Sequence, residues 1–367
     1  MLKFLKTLLF LLLVPSVLYS QTEPLFKAPK DLYLTATDLH IHTVFSDGSV
    51  WPDIRLREAL REGLDLIAMT DHLEYQPHKE DIPHPDRNRS YQIASELAKG
   101  QEKLRVINGA EITREMPIGH LNAVFIKDAN KLLRNDPILS INEANAQKAF
   151  VFMNHPNWDA QRSDGIARLS QVHEDLINKK LIHGVEVVNE TTFSEEALKI
   201  ALESNLTIIG NSDIHGLTDW LFEIPEGGHR PITFVISQGK KINQVKEALF
   251  QGKTFVWFKD LLIGKEENLL PVIESNLSAE NLKYQKGKQI GEFTLTNHSA
   301  TILNLRYTGP FSFHEDGKIF QIPPHSKKVL KIKTLTKLDN IDLPFELMNG
   351  IIAPNKNLKF KLIVNKN

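Results

Sequence analysis

Short apolar runs alternate with amphipathic stretches between residues 38 and 258. Seven runs are typical of buried strands: Leu66–Met69, Val106–Ile107, Leu121–Ile126, Phe150–Met153, Val185–Val188, Thr207–Ile209 and Ile232–Ile236. Between them apolar residues recur at helical spacing, as at Leu56, Ala59 and Leu60, and Ser194 before two glutamates indicates a helix start. This repetition predicts an α/β fold with a parallel sheet, and about seven units favour a barrel over an open doubly wound sheet.

The pattern changes to a period of two after about Gly264. Leu358, Phe360, Leu362 and Val364 alternate with other residues, mostly lysines, and turn residues such as Asp316-Gly317 separate similar runs. Such patterning predicts a small antiparallel β-sandwich, Ig-like in kind. The predicted organisation is a segment to be removed at 1–20, a lead-in at 21–37, a barrel at 38–262, a linker at 263–275 and a sandwich at 276–367.

The distribution of charge supports a division of the chain into two domains, and the net charge argues against some classes of binding partner. Residues 21–275 carry 28 basic and 38 acidic side chains, whereas residues 276–367 carry 14 and 7. The whole chain has a net charge of −1, so it has no bulk attraction for nucleic acid or anionic membranes. The absence of cysteine excludes disulfides, thiolate nucleophiles and zinc sites ligated by sulfur.

The first twenty residues have the form of a secretory signal peptide. Lys3 and Lys6 precede an apolar run from Leu8 to Val14, and Ser20 is a small residue at a plausible cleavage point. The run is short for a membrane span, although an uncleaved N-terminal anchor is the alternative. We therefore expect an exported protein, periplasmic or secreted, with no membrane anchor once this segment is removed.

Histidines and carboxylates cluster at the ends of the predicted strands. His40 and His42 lie two residues apart at the end of the first strand, so both side chains can point to one face. In a barrel of parallel strands such ends converge on one mouth. The nine candidate metal ligands are His40, His42, Asp47, His72, Glu111, His120, His155, Asp213 and His215.

Imidazole and carboxylate ligands suit Zn²⁺, Mn²⁺ or Fe²⁺ without choosing among them. Nine groups are enough for two ions, or for three that share bridging carboxylates. His120 differs from the others because it opens its predicted strand instead of closing it. Glu190 falls outside the pattern and is interpreted as an acid at a helix start.

These blocks resemble the motifs of the PHP (polymerase and histidinol phosphatase) domain: Asp38–Gly48, Thr70–His72, Gly109–Glu111, His155-Pro156 and Asp213–His215. The resemblance covers roughly residues 36–260. The stretches 45–51, 70–75 and 77–90 also resemble a narrower group of secreted bacterial phosphodiesterases labelled Sb-PDE.

The resemblance implies a distorted (β/α)7 barrel that holds two or three divalent ions. It assigns His40, His42, Glu111 and Asp213 to a first ion and Asp47, His72 and His215 to a second. A third ion would be shared by Glu111, His120 and His155. In this scheme water activated between the ions attacks phosphorus, and Asp213, Glu111 and His215 are the catalytic residues.

Three functions compete. The first is hydrolysis of small phosphodiesters, the second is a phosphomonoesterase of the histidinol-phosphatase type, and the third is an exported binding protein that metals only stabilise. The expected partner is a small phosphate ester, and the sequence is silent on oligomeric state. Arg87, Arg162 and His229 are the candidate substrate-binding residues, because guanidinium groups match phosphate oxygens and a histidine can protonate a leaving alkoxide.

Overall fold

The structure is a computed structural model that describes residues 24–366. The predicted signal peptide therefore lies outside the described residues. The strands of the first part are β1 Tyr33–Asp38, β2 Leu66–Met69, β3 Arg105–Ile112, β4 Leu121–Val124, β5 Phe150–Met153, β6 Gly184–Asn189, β7 Thr192–Phe193, β8 Thr207–Asn211, β9 Ile232–Ser237, β10 Thr254–Phe258 and β11 Leu261–Gly264. The helices are α1 Pro52–Arg61, α2 Arg89–Leu97, α3 Pro137–Ala146, α4 Gln171–Asn178, α5 Glu195–Glu203, α6 Thr218–Phe222, α7 Ile242–Phe250 and α8 Glu266–Asn276, with short 3₁₀ helices at Ala129–Leu132 and Ile224–Glu226.

The first part is a distorted barrel with the strand order β10, β9, β1, β2, β3, β4, β5, β6, β8. The fold prediction is confirmed in class, but the sheet is mixed. β1, β2 and β3 are parallel, as are β5, β6 and β8, whereas β4 is antiparallel to both β3 and β5. β9 and β10 are also antiparallel to their neighbours.

The barrel closes where β8 packs against β9 and β10. Thr233 Oγ1 donates to the Gly210 carbonyl at 2.7 Å and accepts from the Gly210 N–H at 2.8 Å, and Thr254 Oγ1 donates to the Ile208 carbonyl at 2.8 Å. Buried side-chain hydroxyls thus satisfy backbone groups that a regular ladder would otherwise pair.

Several local predictions from the sequence are confirmed. β2 and β5 have the predicted bounds, and α5 begins where Ser194 accepts a hydrogen bond from the N–H of Ala197. The first strand is shorter than predicted. β1 ends at Asp38, and the chain continues through an isolated bridge between Ile41 and Ile214.

The C-terminal part is a two-sheet sandwich. Its strands are β12 Leu277–Tyr284, β13 Ile290–Asn297, β14 Leu303–Tyr307, β15 Ser312–Phe313, β16 Ile319–Ile322, β17 Lys327–Lys333, β18 Asn340–Ala353 and β19 Lys356–Asn365. One sheet has the order β12, β13, β17, β15, and the other consists of β16, β14, β18 and β19. The alternating residues Leu358, Phe360 and Val364 are buried between the sheets, as their period of two predicts.

The two parts share one continuous sheet, because β18 pairs in parallel with β11 through Leu262–Gly350 and Ile263–Ile351. The predicted linker at 263–275 consists of the end of β11 and most of α8, whose Leu269, Val272 and Ile273 are fully buried. The predicted lead-in includes most of β1. Within residues 24–366, none of the helices has the length and apolar character that crossing a membrane requires.

Candidate metal centre

Residues 39–43 bring the first two histidines into the barrel. Leu39 and Ile41 are fully buried in two separate apolar clusters, and the Nε2 atoms of His40 and His42 lie 3.0 Å apart. The N–H of Ile41 donates to Thr70 Oγ1 and that of His42 donates to the Ile214 carbonyl. These bonds fix the segment beyond β1 between the residues that follow β2 and those that follow β8.

His120 reaches the same end of the barrel because β4 is antiparallel. A residue that opens a parallel strand would lie at the opposite end of the sheet from residues that close one. Leu121 pairs with Ile112, so the start of β4 lies beside the end of β3, and His120 Nδ1 is 2.9 Å from Glu111 Oε1. The predicted parallel sheet is interrupted at β4, and this reversal of direction explains how His120 joins the cluster.

Asp213 completes a group with the first histidines. It follows β8 in a left-handed conformation with φ of 47°, which aspartate tolerates better than most residues. Its Oδ1 atom is 3.0 Å from the Nε2 atoms of both His40 and His42. Ligand atoms bound tetrahedrally at about 2.0–2.2 Å from Zn²⁺ lie roughly 3.3 Å apart, so these three atoms have the spacing of a coordination shell.

A second group lies beside the first. Asp47, on the turn after His42, has Oδ1 at 3.2 Å from His215 Nε2 and Oδ2 at 3.4 Å from His72 Nε2. The ligand atoms of His42, Asp47, His72 and His215 all lie within 4.8 Å of one another. His215 is oriented by a hydrogen bond of 2.7 Å between its Nδ1 and the Asp213 carbonyl.

Glu111 occupies the middle of the cluster and is fully buried. Its Oε2 atom is 2.8 Å from His72 Nδ1 and 3.4 Å from His42 Nε2, and its Oε1 atom is 2.9 Å from His120 Nδ1 and 3.6 Å from His155 Nε2. It forms one compact group with His40 and His155 and another with His72 and His120. All nine candidate ligands are therefore brought together, with Glu111 able to bridge.

The carboxylate oxygens of the cluster are placed better for binding cations than for accepting hydrogen bonds from the neighbouring imidazoles. Glu111 Oε2, Asp213 Oδ1 and Asp47 Oδ1 are buried and accept no hydrogen bond from any residue of 24–366, although imidazole nitrogens lie 2.8–3.2 Å away. The neighbouring N–H groups are thus not aligned on these oxygens. Burying carboxylate oxygens in this way is costly unless a cation compensates them. This arrangement supports divalent metal binding.

The electrostatics of the cluster are dominated by mutual interactions. Burial and the charges of His215 and His72 lower the pKa of His42 to about 4. Burial also acts to lower the pKa of His72, but the charge of Glu111 and the hydrogen bond to Asp47 outweigh it and raise the pKa to about 11. Asp47 likewise offsets burial at His215, whose pKa rises to about 9. A bound metal would displace a proton from His72 and from His215, since imidazole coordinates in its neutral form.

Glu186 is an acid beneath the cluster that is not among the candidates predicted from the sequence. It lies within the buried run of β6, and its two carboxylate oxygens accept four hydrogen bonds: Oε1 from His40 Nδ1 at 2.9 Å and Asn211 Nδ2 at 2.8 Å, Oε2 from the His155 N–H at 2.8 Å and Asn189 Nδ2 at 2.9 Å. A bond to Nδ1 leaves Nε2 of His40 free for a metal. The available signal was a glutamate inside an otherwise apolar strand.

Glu190 was also misinterpreted. It lies in the turn after β6 with φ of 50°, whereas α5 begins five residues later at Glu195, so Glu190 starts no helix. It lines a cavity of about 170 Å³ over the cluster, together with Trp158 and Asn189. Burial and the nearby charge of Asp213 raise the pKa of Glu190.

The predicted substrate-binding residues lie outside this cavity. Arg87 donates from Nε to the Leu73 carbonyl at 2.9 Å and thereby braces the segment after His72. Arg162 donates to the Arg168 carbonyl and lines a separate space of about 20 Å³ next to His120 and His155. His229 stacks on Trp257 at a larger cavity between the two domains. Their predicted substrate contacts remain predictions.

The two domains differ in what they match among known proteins. The model of an Ig-like domain family matches residues 277–363. Among curated protein sequences, none is significantly similar to the chain.

Solved structures similar to this chain include a two-domain protein from Bacteroides vulgatus that contains a predicted PHP-like metal-dependent phosphoesterase. It is 35% identical with a TM-score of 0.87, over 94% of this chain and 99% of the other. A proposed metal-dependent phosphoesterase from Bifidobacterium adolescentis is 16% identical with a TM-score of 0.41, over 62% of this chain and 98% of the other, which is too distant to bear on the site. The 35% identity to the Bacteroides vulgatus protein, over nearly the whole of both chains, places this protein in the family of two-domain PHP-like metal-dependent phosphoesterases.

Proposed function

We propose that the protein hydrolyses phosphate esters with the help of divalent ions, and that its substrates are small phosphodiesters. The hydrolysis is supported by the family and by the cluster of nine ligands. The preference for diesters is supported by the walls of the cavity over the cluster.

The observation that carries the diester proposal is the charge of those walls. Among the described residues that line the cavity, none is a lysine or an arginine, and the one ionisable group besides the candidate metal ligands is the carboxylate of Glu190. A monoester is a dianion that is bound best where cationic side chains add to the metal ions around its terminal oxygens, whereas a diester carries one charge and a second ester group. The resemblance to the Sb-PDE group agrees with this assignment.

Each ion would be held by a different group of the candidate ligands. His40, His42, Glu111 and Asp213 would hold one ion, and Asp47, His72 and His215 a second, with His120 and His155 beside Glu111 available for a third. Bound ions of this kind lower the pKa of water and neutralise charge on phosphate oxygens. Asp213 accepts from Asn189 Nδ2 at 3.2 Å through Oδ2, which holds its carboxylate at the cavity and allows it to orient an attacking water.

The role of Asp213 is tested by Asp213→Asn. Asparagine also tolerates the left-handed backbone at this position, so the change removes charge with little strain. We expect turnover to fall at least about 100-fold at equal metal content, measured by metal analysis of each sample. Undiminished turnover at full metal occupancy would contradict the assignment.

The substrate class is tested by rates on bis(p-nitrophenyl) phosphate and p-nitrophenyl phosphate with the protein reconstituted in Mn²⁺ or Zn²⁺. Faster turnover of the diester, abolished by His40→Ala, is the expected result. Faster turnover of the monoester would favour a phosphatase. Absence of both activities with metal bound would favour a metal-stabilised binding protein.

We also propose that the protein is exported by means of residues 1–20. The pattern of that segment is the support for this proposal. Cell fractionation should find the protein without this segment outside the cytoplasm, and a cytoplasmic pool of full-length protein would contradict export.

A further inference from the structure

A second cavity lies between the barrel and the Ig-like domain. This interdomain cleft has a volume of about 570 Å³ and is formed by barrel loops on one side and by residues 300–302 and Pro324 on the other. Cavities of roughly 300–1,000 Å³ are the usual size for organic ligands.

The interdomain cleft adjoins the metal centre. Glu190 lines both cavities, Asn189 lines the cavity over the metal cluster, and Thr191 lines the cleft. The two cavities are thus separated by the turn 189–191, whose backbone spans at most about 8 Å. A group bonded to a phosphorus atom at the metal centre would reach the cleft by passing this turn.

The floor of the cleft is aromatic. His229 stacks on Trp257 with ring centroids 3.6 Å apart, and carbonyls of Arg230 and Lys259 lie at its ring nitrogens. Trp257 is only 6% exposed, whereas His229 is half-buried, so the imidazole ring forms most of the accessible part of this floor.

The charges around the cleft are mostly negative. Among the lining residues that the structure describes, Glu190, Glu223 and Asp260 carry carboxylates and Lys259 alone carries an ammonium, whose Nζ lies 4.9 Å from the centroid of the Phe258 ring. Such a lining repels an anionic group and accepts an uncharged or a cationic one.

We infer that the interdomain cleft holds one of the two alcohol groups of the phosphodiester substrate, and that this alcohol is uncharged or cationic. The inference rests on the proposed phosphodiesterase function and deepens it. It assigns the Ig-like domain a role in substrate selection and gives His229 a place as part of the aromatic floor.

The test compares kcat/KM for three p-nitrophenyl phosphodiesters whose second alcohol is choline, 3-hydroxypropionate or methanol. The choline ester should be preferred over the carboxylate ester by about tenfold or more, because the carboxylate meets negative charge. Asp260→Lys should reduce this ratio by about tenfold, whereas Asp339→Lys, at an exposed site in the Ig-like domain, should leave it unchanged.

A second variant fills the cleft from the Ig-like side. Ala300→Phe should lower kcat/KM for the choline ester and leave that for the methyl ester nearly unchanged. Leu335→Phe, at a position that is 87% exposed and does not line the cleft, is the control. Equal effects of Ala300→Phe on both esters, or none on either, would overturn the inference while leaving the phosphodiesterase function intact.

Failure of the proposed function has a different signature, which is no turnover of any diester by the unmodified protein. The cleft is then judged by calorimetric titration of the metal-loaded protein with phosphocholine. Binding that Ala300→Phe abolishes and Leu335→Phe retains upholds the cleft as an alcohol site. Absent binding, or equal binding by both variants, overturns it.

Discussion

The carboxylate of Glu186 accepts four hydrogen bonds, which fills its acceptor capacity. Two of these bonds hold the imidazole of His40 and the backbone of His155 in place at the metal centre. A carboxylate can accept all four bonds, from His40, Asn211, Asn189 and the backbone of His155. Glutamine at this site would have the same shape but would point its NH₂ group at two donors.

We therefore expect Glu186→Gln to weaken metal binding by about 10- to 100-fold, because it disturbs the orientation of His40 and of the backbone at His155. Competition with a chromogenic chelator measures the affinity. Excess metal should restore part of the activity, which a merely unfolded variant would not show. Glu196→Gln in α5 is the control, and an unchanged metal affinity in Glu186→Gln would contradict the positioning role.

The sequence was sufficient to predict the candidate metal ligands but not the roles of Glu186 and Glu190. All nine candidate ligands lie together, because eight of them are within four residues of a strand end and Asp47 is on the turn that follows His42. Strand ends are visible in the sequence as the limits of apolar runs. Glu186 was missed because it lies inside such a run, and Glu190 was misinterpreted because a turn between β6 and β7 precedes α5. Neither the turn nor the carboxylate's partners can be inferred from local periodicity.

At the scale of elements, β8 closes the barrel through a glycine. A Cβ atom at Gly210 would lie 2.3 Å from Val256 Cγ1 of β10, which is closer than atoms can approach. We expect Gly210→Ala to destabilise the protein by about 1–3 kcal/mol through overpacking, measured by urea unfolding. Gly317→Ala, where the nearest atoms lie 3.9 Å away, is the control. Equal stability of the two variants would show that β8 can move away from β10.

A buried group of one cation and two carboxylates joins β1, α1 and β9. Arg230, just before β9, donates to Asp38 at the end of β1 at 3.0 Å and to Glu62 after α1 at 2.8 Å. All three side chains are buried. Removing the cation leaves two carboxylates without their partner, so we expect Arg230→Met to cost about 3–5 kcal/mol of stability.

The pH dependence of this loss has a definite sign. Burial acts to raise the pKa of Glu62, but the charge and hydrogen bonds of Arg230 outweigh it and hold the pKa below its ordinary value. A depressed native pKa gives stability that is present above the unfolded pKa of about 4.3 and is lost as the pH falls through the native value. The deficit of Arg230→Met in urea unfolding should therefore be larger at pH 7 than below pH 4. Arg57→Met, which breaks an exposed pair, should change stability by less than about 1 kcal/mol at either pH.

At the scale of the whole molecule, the metal centre links loops that follow five different strands. Ligands that bind only in the folded state stabilise it, by about 2.7 kcal/mol at a concentration 100 times the Kd. Adding Zn²⁺ or Mn²⁺ to chelator-treated protein should accordingly raise Tm by several degrees, measured by calorimetry. The double change His40→Ala and His42→Ala should abolish the rise, and an equal rise in that variant would show that the ions bind elsewhere.

The sequence by itself determined the α/β class, the sandwich that follows and the candidate ligands, because the periodicity of strands and the chemistry of side chains are local properties. Only the tertiary structure decided that β4 runs antiparallel and brings His120 to the cluster, that Glu186 lies beneath His40, and that a cleft opens between the domains. These features depend on the direction and packing of elements that are distant along the chain, for which no local pattern exists.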